Sequence, residues 1–132
     1  MAVTVTLTFR WAMGHRILGL ANAAKCANIH GHNWTAEVEL PNDGGTLEFG
    51  AVKSAIGGWI DTYWDHGMLV EWNDPLRAWM EANDSKHDYL PVQPTTEAIA
   101  AELARKAGEL TGVAPVRVHV IEGYRNAATW TP

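Results

Sequence analysis

A single cysteine, Cys26, rules out any disulfide within the chain and fits a reducing compartment, so the expected location is cytoplasmic. No apolar run approaches the length needed to cross a bilayer, which excludes a membrane-spanning helix. Cations are few: ten Lys and Arg stand against fifteen Asp and Glu, a formal net charge of −5. A chain of that balance is not a general binder of nucleic acid or of anionic membrane, although a local basic pocket for a phosphorylated small molecule stays open. No repeat or low-complexity segment divides the sequence, so the reading is one domain over residues 1–132 with a single core.

Against that sparse background the segment Cys26-Ala27-Asn28-Ile29-His30-Gly31-His32-Asn33-Trp34 stands out. In extended backbone, side chains alternate faces, so His30 and His32 point the same way with Gly31 opposite. Trp34, Ala36, Val38 and Leu40 then alternate with Thr35, Glu37 and Glu39, which predicts a half-buried strand beginning at the histidines. An earlier alternation of Val3, Val5, Leu7 and Phe9 with threonines predicts another strand, ending at His15. Pairing of the two strands brings His15, His30 and His32 to one end. Three nitrogen ligands with a fourth position open is the pattern of a catalytic zinc. Cys26 as a fourth ligand would instead close the site into a structural one. Arg16 and Lys25 flank the intervening loop as candidate phosphate-binding cations, or as solvated surface charge.

Pro41-Asn42-Asp43-Gly44-Gly45 is a turn signal, with a short extended piece predicted at Thr46 to Glu48. Phe49, Val52, Ile56, Trp59, Ile60 and Tyr63 form the stripe of an amphipathic helix, weakened by Gly57 and Gly58. Residues 67–94 show no sustained period and read as a long connection with one helical turn near Pro75 to Met80. A second helix starts at Thr95 or Thr96, carries Glu97 in its first turn and an apolar stripe of Ile99, Leu103, Ala107 and Leu110, and ends at Thr111-Gly112. Val116, Val118 and Val120 predict a third strand and Arg125 to Trp130 a fourth. The order ββααββ is that of an α+β domain: a four-stranded antiparallel sheet with two helices on one face.

Two further groups carry chemistry. A histidine oriented by a carboxylate, as in Asp65-His66, can shuttle a proton near neutral pH, and a thiol such as that of Cys26 can accept one. Glu122, just past the third strand's valines, is a strand-end carboxylate able to accept paired N–H groups from a planar heterocycle. His87 and His119 read as structural or surface residues.

In their order along the chain these residues resemble the 6-pyruvoyltetrahydropterin synthase superfamily, which includes the 6-carboxytetrahydropterin synthases of queuosine and deazaguanine biosynthesis. Trp11 to Ile17 is similar to the family's segment around its first zinc histidine, Lys25-Cys26 through Asn33 to its Cys-x-x-x-His-Gly-His-Asn motif, and Trp64-Asp65-His66 to its Leu-Asp-His. Pro94-Thr95-Thr96-Glu97 and Val118 to Glu122 resemble its substrate-binding segments. The resemblance implies the tunnelling fold, with sheets joined around a trimeric barrel and two trimers stacked into a hexamer. It implies zinc on His15, His30 and His32, Cys26 as general base, Asp65 and His66 as proton relay, and Glu122 with Thr95 and Thr96 at the pterin. The implied reaction converts 7,8-dihydroneopterin triphosphate to 6-carboxytetrahydropterin, acetaldehyde and triphosphate. Its alternatives are triphosphate elimination to the 6-pyruvoyl product, or a pterin- or metal-binding module without catalysis. Met13-Gly14, Glu48-Phe49 and the length of the stretch from Glu71 to Gln93 depart from the family pattern.

Overall fold

Two twelve-residue strands, β1 (Thr4–His15) and β2 (His30–Pro41), form the spine of the molecule and pair antiparallel along their whole length, from Thr4 opposite Pro41 to His15 opposite His30. The computed structural model describes residues 2–132; Met1, the first residue of the span read as one domain, lies outside the described residues. The alternation predicted from sequence is realised physically: Leu7, Trp11, Met13 and His15 of β1 and Trp34, Ala36, Val38 and Leu40 of β2 are buried on one face. Thr4, Thr6, Thr8 and Arg10 lie exposed on the other.

Helix α1 (Phe49–Tyr63) follows the turn after β2, and Glu48 caps it by accepting hydrogen bonds from the amides of Gly50 and Ala51 at 2.9 and 2.8 Å. Residues 46–48 form no strand; Glu48 is extended because it is the cap. Val52, Ile56 and Ile60 are the buried face of α1, whereas Phe49 and Tyr63 at its ends stay about half exposed. The helix runs through Gly57, over which the Phe9 ring packs at van der Waals distance. Helix α3 (Thr96–Thr111) is capped by the Thr95 hydroxyl, which accepts from the Ala98 amide at 3.1 Å, and stops at Gly112 with φ +71°. Its stripe of Ile99, Leu103 and Ala107 is buried as expected, but Leu110 is not part of the core. Strands β5 (Arg117–Glu122) and β6 (Asn126–Trp130) extend the antiparallel sheet beyond β2. The α+β class therefore stands, and the expected strands and helices occur in the expected sequence, with α1 and α3 sharing one core with one face of the sheet.

The region 67–94 differs from its reading as a connection with one helical turn. It is a strand–helix–strand unit: β3 (Gly67–Glu71), α2 (Leu76–Ala82) and β4 (His87–Leu90). β3 pairs parallel with the end of β1, and β4 pairs parallel with β3. The sheet is thus six-stranded and mixed, in the order β4-β3-β1-β2-β5-β6, where four antiparallel strands were expected. The reason is in the strands themselves. They are five and four residues long, and in β3 the neighbours Leu69 and Val70 are both fully buried, so no alternation appears to betray a strand.

Tryptophan fills the centre of the core. The rings of Trp11 and Trp34 lie nearly parallel with centroids 6.3 Å apart, and Trp64 packs on Trp11 at 5.8 Å. Trp34 donates its indole N–H to the Met13 carbonyl at 3.0 Å and Trp64 donates to Asp88 at 2.9 Å, so two of these large rings are buried without orphaning their polar atom. No helix of the described residues is long and apolar enough to cross a membrane.

Candidate metal and ligand-binding site

Because β1 and β2 end in register, His15 stands opposite His30, and His32 opposite Met13 two residues further along. The three imidazoles cluster edge to face with centroids 4.6 to 5.2 Å apart, and one nitrogen from each lies within 4.8 Å of the others. The Trp34 ring closes the inner side, 5.1 Å from His15 and 5.4 Å from His32.

The tautomers are set by the backbone. Nδ1 of His15 donates to the Pro94 carbonyl at 2.9 Å, and Nδ1 of His30 donates to the Asn28 carbonyl at 2.7 Å. Each ring therefore turns an unprotonated Nε2 toward the cluster, the arrangement that orients histidine metal ligands. Desolvation pushes the His15 and His32 imidazoles below their ordinary value of 6.5, favouring the neutral, ligating form. Nε2 of His32 is buried with no hydrogen-bond partner. Glu122 Oε1 stands 3.3 Å from it, and a cation held by the three imidazoles would give this buried nitrogen a partner. Cys26 is not a member of this ligand cluster.

Glu122 borders the three rings. Its Oε1 is 3.3 Å from Nε2 of His32, and its Oε2 is 4.0 Å from Nε2 of His15. The Thr96 hydroxyl donates to Oε2 at 2.8 Å and fixes the carboxylate's orientation. Thr95, expected at the ligand, has its hydroxyl engaged in capping α3. Beside Glu122 the β5–β6 turn opens a concavity of about 270 Å³ lined by His32, Glu122 and residues 123–126.

Cys26 sits half-buried in a 3-10 turn, Ala24–Ala27, held to the end of β1 by the Ile17 amide, which donates to the Cys26 carbonyl at 2.7 Å. Lys25 is exposed on the same turn. Arg16, expected as a phosphate-binding cation, has its guanidinium engaged by both oxygens of Asp74, through Nε at 2.8 Å and through Nη2.

Asp65 and His66 lie elsewhere. Asp65 Oδ1 accepts from the Ala12 amide at 2.9 Å, and the His66 amide donates to the Ala12 carbonyl at 2.7 Å, so both are pinned to the edge of β1 just before β3. His66 Nδ1 is 3.0 Å from Asp65 Oδ2, and the ring is 80% exposed. The Ala12 amide, with a smaller contribution from His66, holds the Asp65 carboxyl below its ordinary value. His66 borders a concavity of about 390 Å³ whose lining also includes His32, Met13 and Asn33, so His66 and one imidazole of the cluster share an opening.

The supporting residues that the sequence reading missed are Asp74, within the β3–α2–β4 unit, and Gln93, which follows it: Gln93 accepts from the Leu18 amide at 3.0 Å and donates to Glu71, and Asp74 holds Arg16 next to His15. Nothing local marks them: Asn73-Asp74-Pro75 reads only as a turn. The same unit accounts for Gly14, because a Cβ there would come within 2.8 Å of Met68 Sδ and 3.2 Å of the His30 carbonyl.

Comparison with known proteins agrees with this arrangement. The sequence model of the 6-pyruvoyl tetrahydropterin synthase family matches residues 4–132. A 6-carboxy-5,6,7,8-tetrahydropterin synthase of Rickettsia bellii is 31% identical over 108 residues, 76% of this chain and 77% of the relative. One from Aquifex aeolicus is 31% identical over 121 residues, 73% of each chain. Among solved structures, the 6-pyruvoyl tetrahydropterin synthase of Caenorhabditis elegans superposes with a TM-score of 0.73 at 20% identity, covering all of this chain and 96% of that one, which identifies the tunnelling fold. By sequence and by fold, this chain belongs to the 6-pyruvoyl tetrahydropterin synthase family.

Proposed function

We propose that the protein is a zinc-dependent 6-carboxy-5,6,7,8-tetrahydropterin synthase, acting on 7,8-dihydroneopterin triphosphate in a cytoplasmic queuosine or deazaguanine pathway. The observation that carries this reading is the junction of Glu122 with the three imidazoles: a strand-end carboxylate 3.3 Å from the buried Nε2 of His32. The relatives named for that reaction, at 31% identity, favour the carboxy product.

His15, His30 and His32 would hold the zinc, which supplies Lewis-acid polarisation of the hydroxyls on the substrate's side chain. Glu122 accepts the amino and ring N–H groups of the pterin in pairs, and Thr96 keeps that carboxylate aimed. The Cys26 sulfur takes the carbon-bound proton of the side chain, and His66, oriented by Asp65, returns a proton elsewhere on the substrate. With one water consumed, the atoms balance as 6-carboxytetrahydropterin, acetaldehyde and triphosphate. The free edges of the six-stranded sheet at β4 and β6 support a trimer-based oligomer, two trimers stacking into a hexamer.

The family's naming reaction, triphosphate elimination with the three-carbon side chain retained, is the second reading. Incubation of the zinc-loaded protein with 7,8-dihydroneopterin triphosphate separates them. Acetaldehyde release is expected; triphosphate release without acetaldehyde would favour the 6-pyruvoyl product, and release of neither would leave a binding module.

A further inference from the structure

An enzyme of net charge −5 that takes a triphosphate needs a local cation, and Arg16 is committed to Asp74. Arg77, Arg105, Lys106 and Arg117 also face carboxylates, and Lys86 is bound to main-chain carbonyls. Arg10, Lys25, Lys53 and Arg125 face no carboxylate among the described residues, and of the chain's cations Arg125 alone lines the concavity of about 270 Å³ that contains His32 and Glu122. It sits in the β5–β6 turn, opened by Gly123 at φ +66°, with its guanidinium carbon 5.2 Å from the centroid of the Tyr124 ring. That ring is 83% exposed, so the contact orders a side chain at the mouth of the site without burying its charge.

We propose that Arg125 is the anion-binding residue of this site, taking the phosphate tail of a ligand whose ring is held by Glu122; this rests on the pterin reading above. Across the short turn, the Glu122 carboxylate selects N–H donors and the Arg125 guanidinium selects phosphate oxygens, so one concavity reads both ends of an amphoteric ligand. The free guanidinium explains how an acidic protein can attract an anionic substrate to a mouth that also carries a carboxylate.

Titration calorimetry on the zinc-loaded protein tests it, with 7,8-dihydroneopterin, its triphosphate and inorganic triphosphate as three separate ligands. Arg125→Gln should weaken the pterin triphosphate about tenfold and flatten the dependence of its affinity on salt, while leaving unphosphorylated dihydroneopterin unchanged. Arg125→Lys should keep most of the affinity, because a point charge still serves a phosphate. Equal losses for both pterins would assign Arg125 to the ring and overturn the proposal, as would unchanged affinity for all three ligands. If the wild-type protein binds neither pterin, the pterin reading falls, and the response of inorganic triphosphate to Arg125→Gln still decides the role of this residue.

Discussion

Oε1 of Glu122 lies 3.3 Å from Nε2 of His32, and the two belong to neighbouring strands whose register sets Glu122 opposite Trp34. The Glu122 carboxylate and the imidazole cluster are thus held by one continuous piece of sheet. A ligand spanning both would be positioned by backbone hydrogen bonds rather than by a loop.

Glu122→Gln should therefore damage recognition more than folding. A carboxamide accepts through only one oxygen, and its amino group opposes the donors of the heterocycle. Pterin affinity should fall by roughly tenfold or more with the melting temperature little changed. Calorimetry and a thermal melt on the same variant check this; unchanged affinity with a lowered melting temperature would make Glu122 a structural residue.

Cys26 stands outside the imidazole cluster, and its substitution separates base from ligand. Cys26→Ala should retain zinc and bind pterin while turnover falls by about two to four orders of magnitude. Metal analysis beside a turnover assay reads both. Parallel loss of metal and thermal stability would instead make Cys26 a fourth ligand.

Asp74 ties α2 to the residue after His15. The hydrogen bond from Arg16, working against desolvation and aided by the Leu76 amide, holds its carboxyl below the ordinary value of 3.8. The unfolded chain then takes up the proton at higher pH than the native one, so this contribution is full above about pH 3.8 and is lost as pH falls below it. Asp74→Ala should cost about 2 kcal/mol at neutral pH, by leaving Arg16 unpaired, and should make the remaining stability less sensitive to acid. Urea unfolding between pH 3 and 7 measures both effects.

His66 has φ +62°, a left-handed conformation that a β-carbon disfavours. Glycine accepts that backbone without strain, so His66→Gly should change stability by no more than about 1 kcal/mol while turnover collapses. A melt and a turnover assay on this variant distinguish a chemical role from a structural one.

The long strands and the clustering of the three histidines were legible in the sequence because each depends on a period of two. Leu7, Trp11, His15, His30, Trp34 and Val38 occupy one face by parity alone, and antiparallel pairing of adjacent strands then brings the histidines to one end. The helices α1 and α3 were legible from their caps and apolar stripes. β3 and β4 were not, because Leu69 and Val70 are buried together and the parallel pairing depends on a crossover that no local pattern encodes. The pairing of Arg16 was hidden for a related reason: its partner Asp74 lies 58 residues away. Asp65 and His66 were found as a pair, but their attachment to β1 rests on the tertiary contact with Ala12, 53 residues away.

Zinc content of the purified protein and of its His32→Ala variant tests the central claim most directly. About one zinc per chain is expected in the wild type, with strong loss in His32→Ala. Full zinc in that variant and in His30→Ala would contradict the assignment of the metal to these imidazoles.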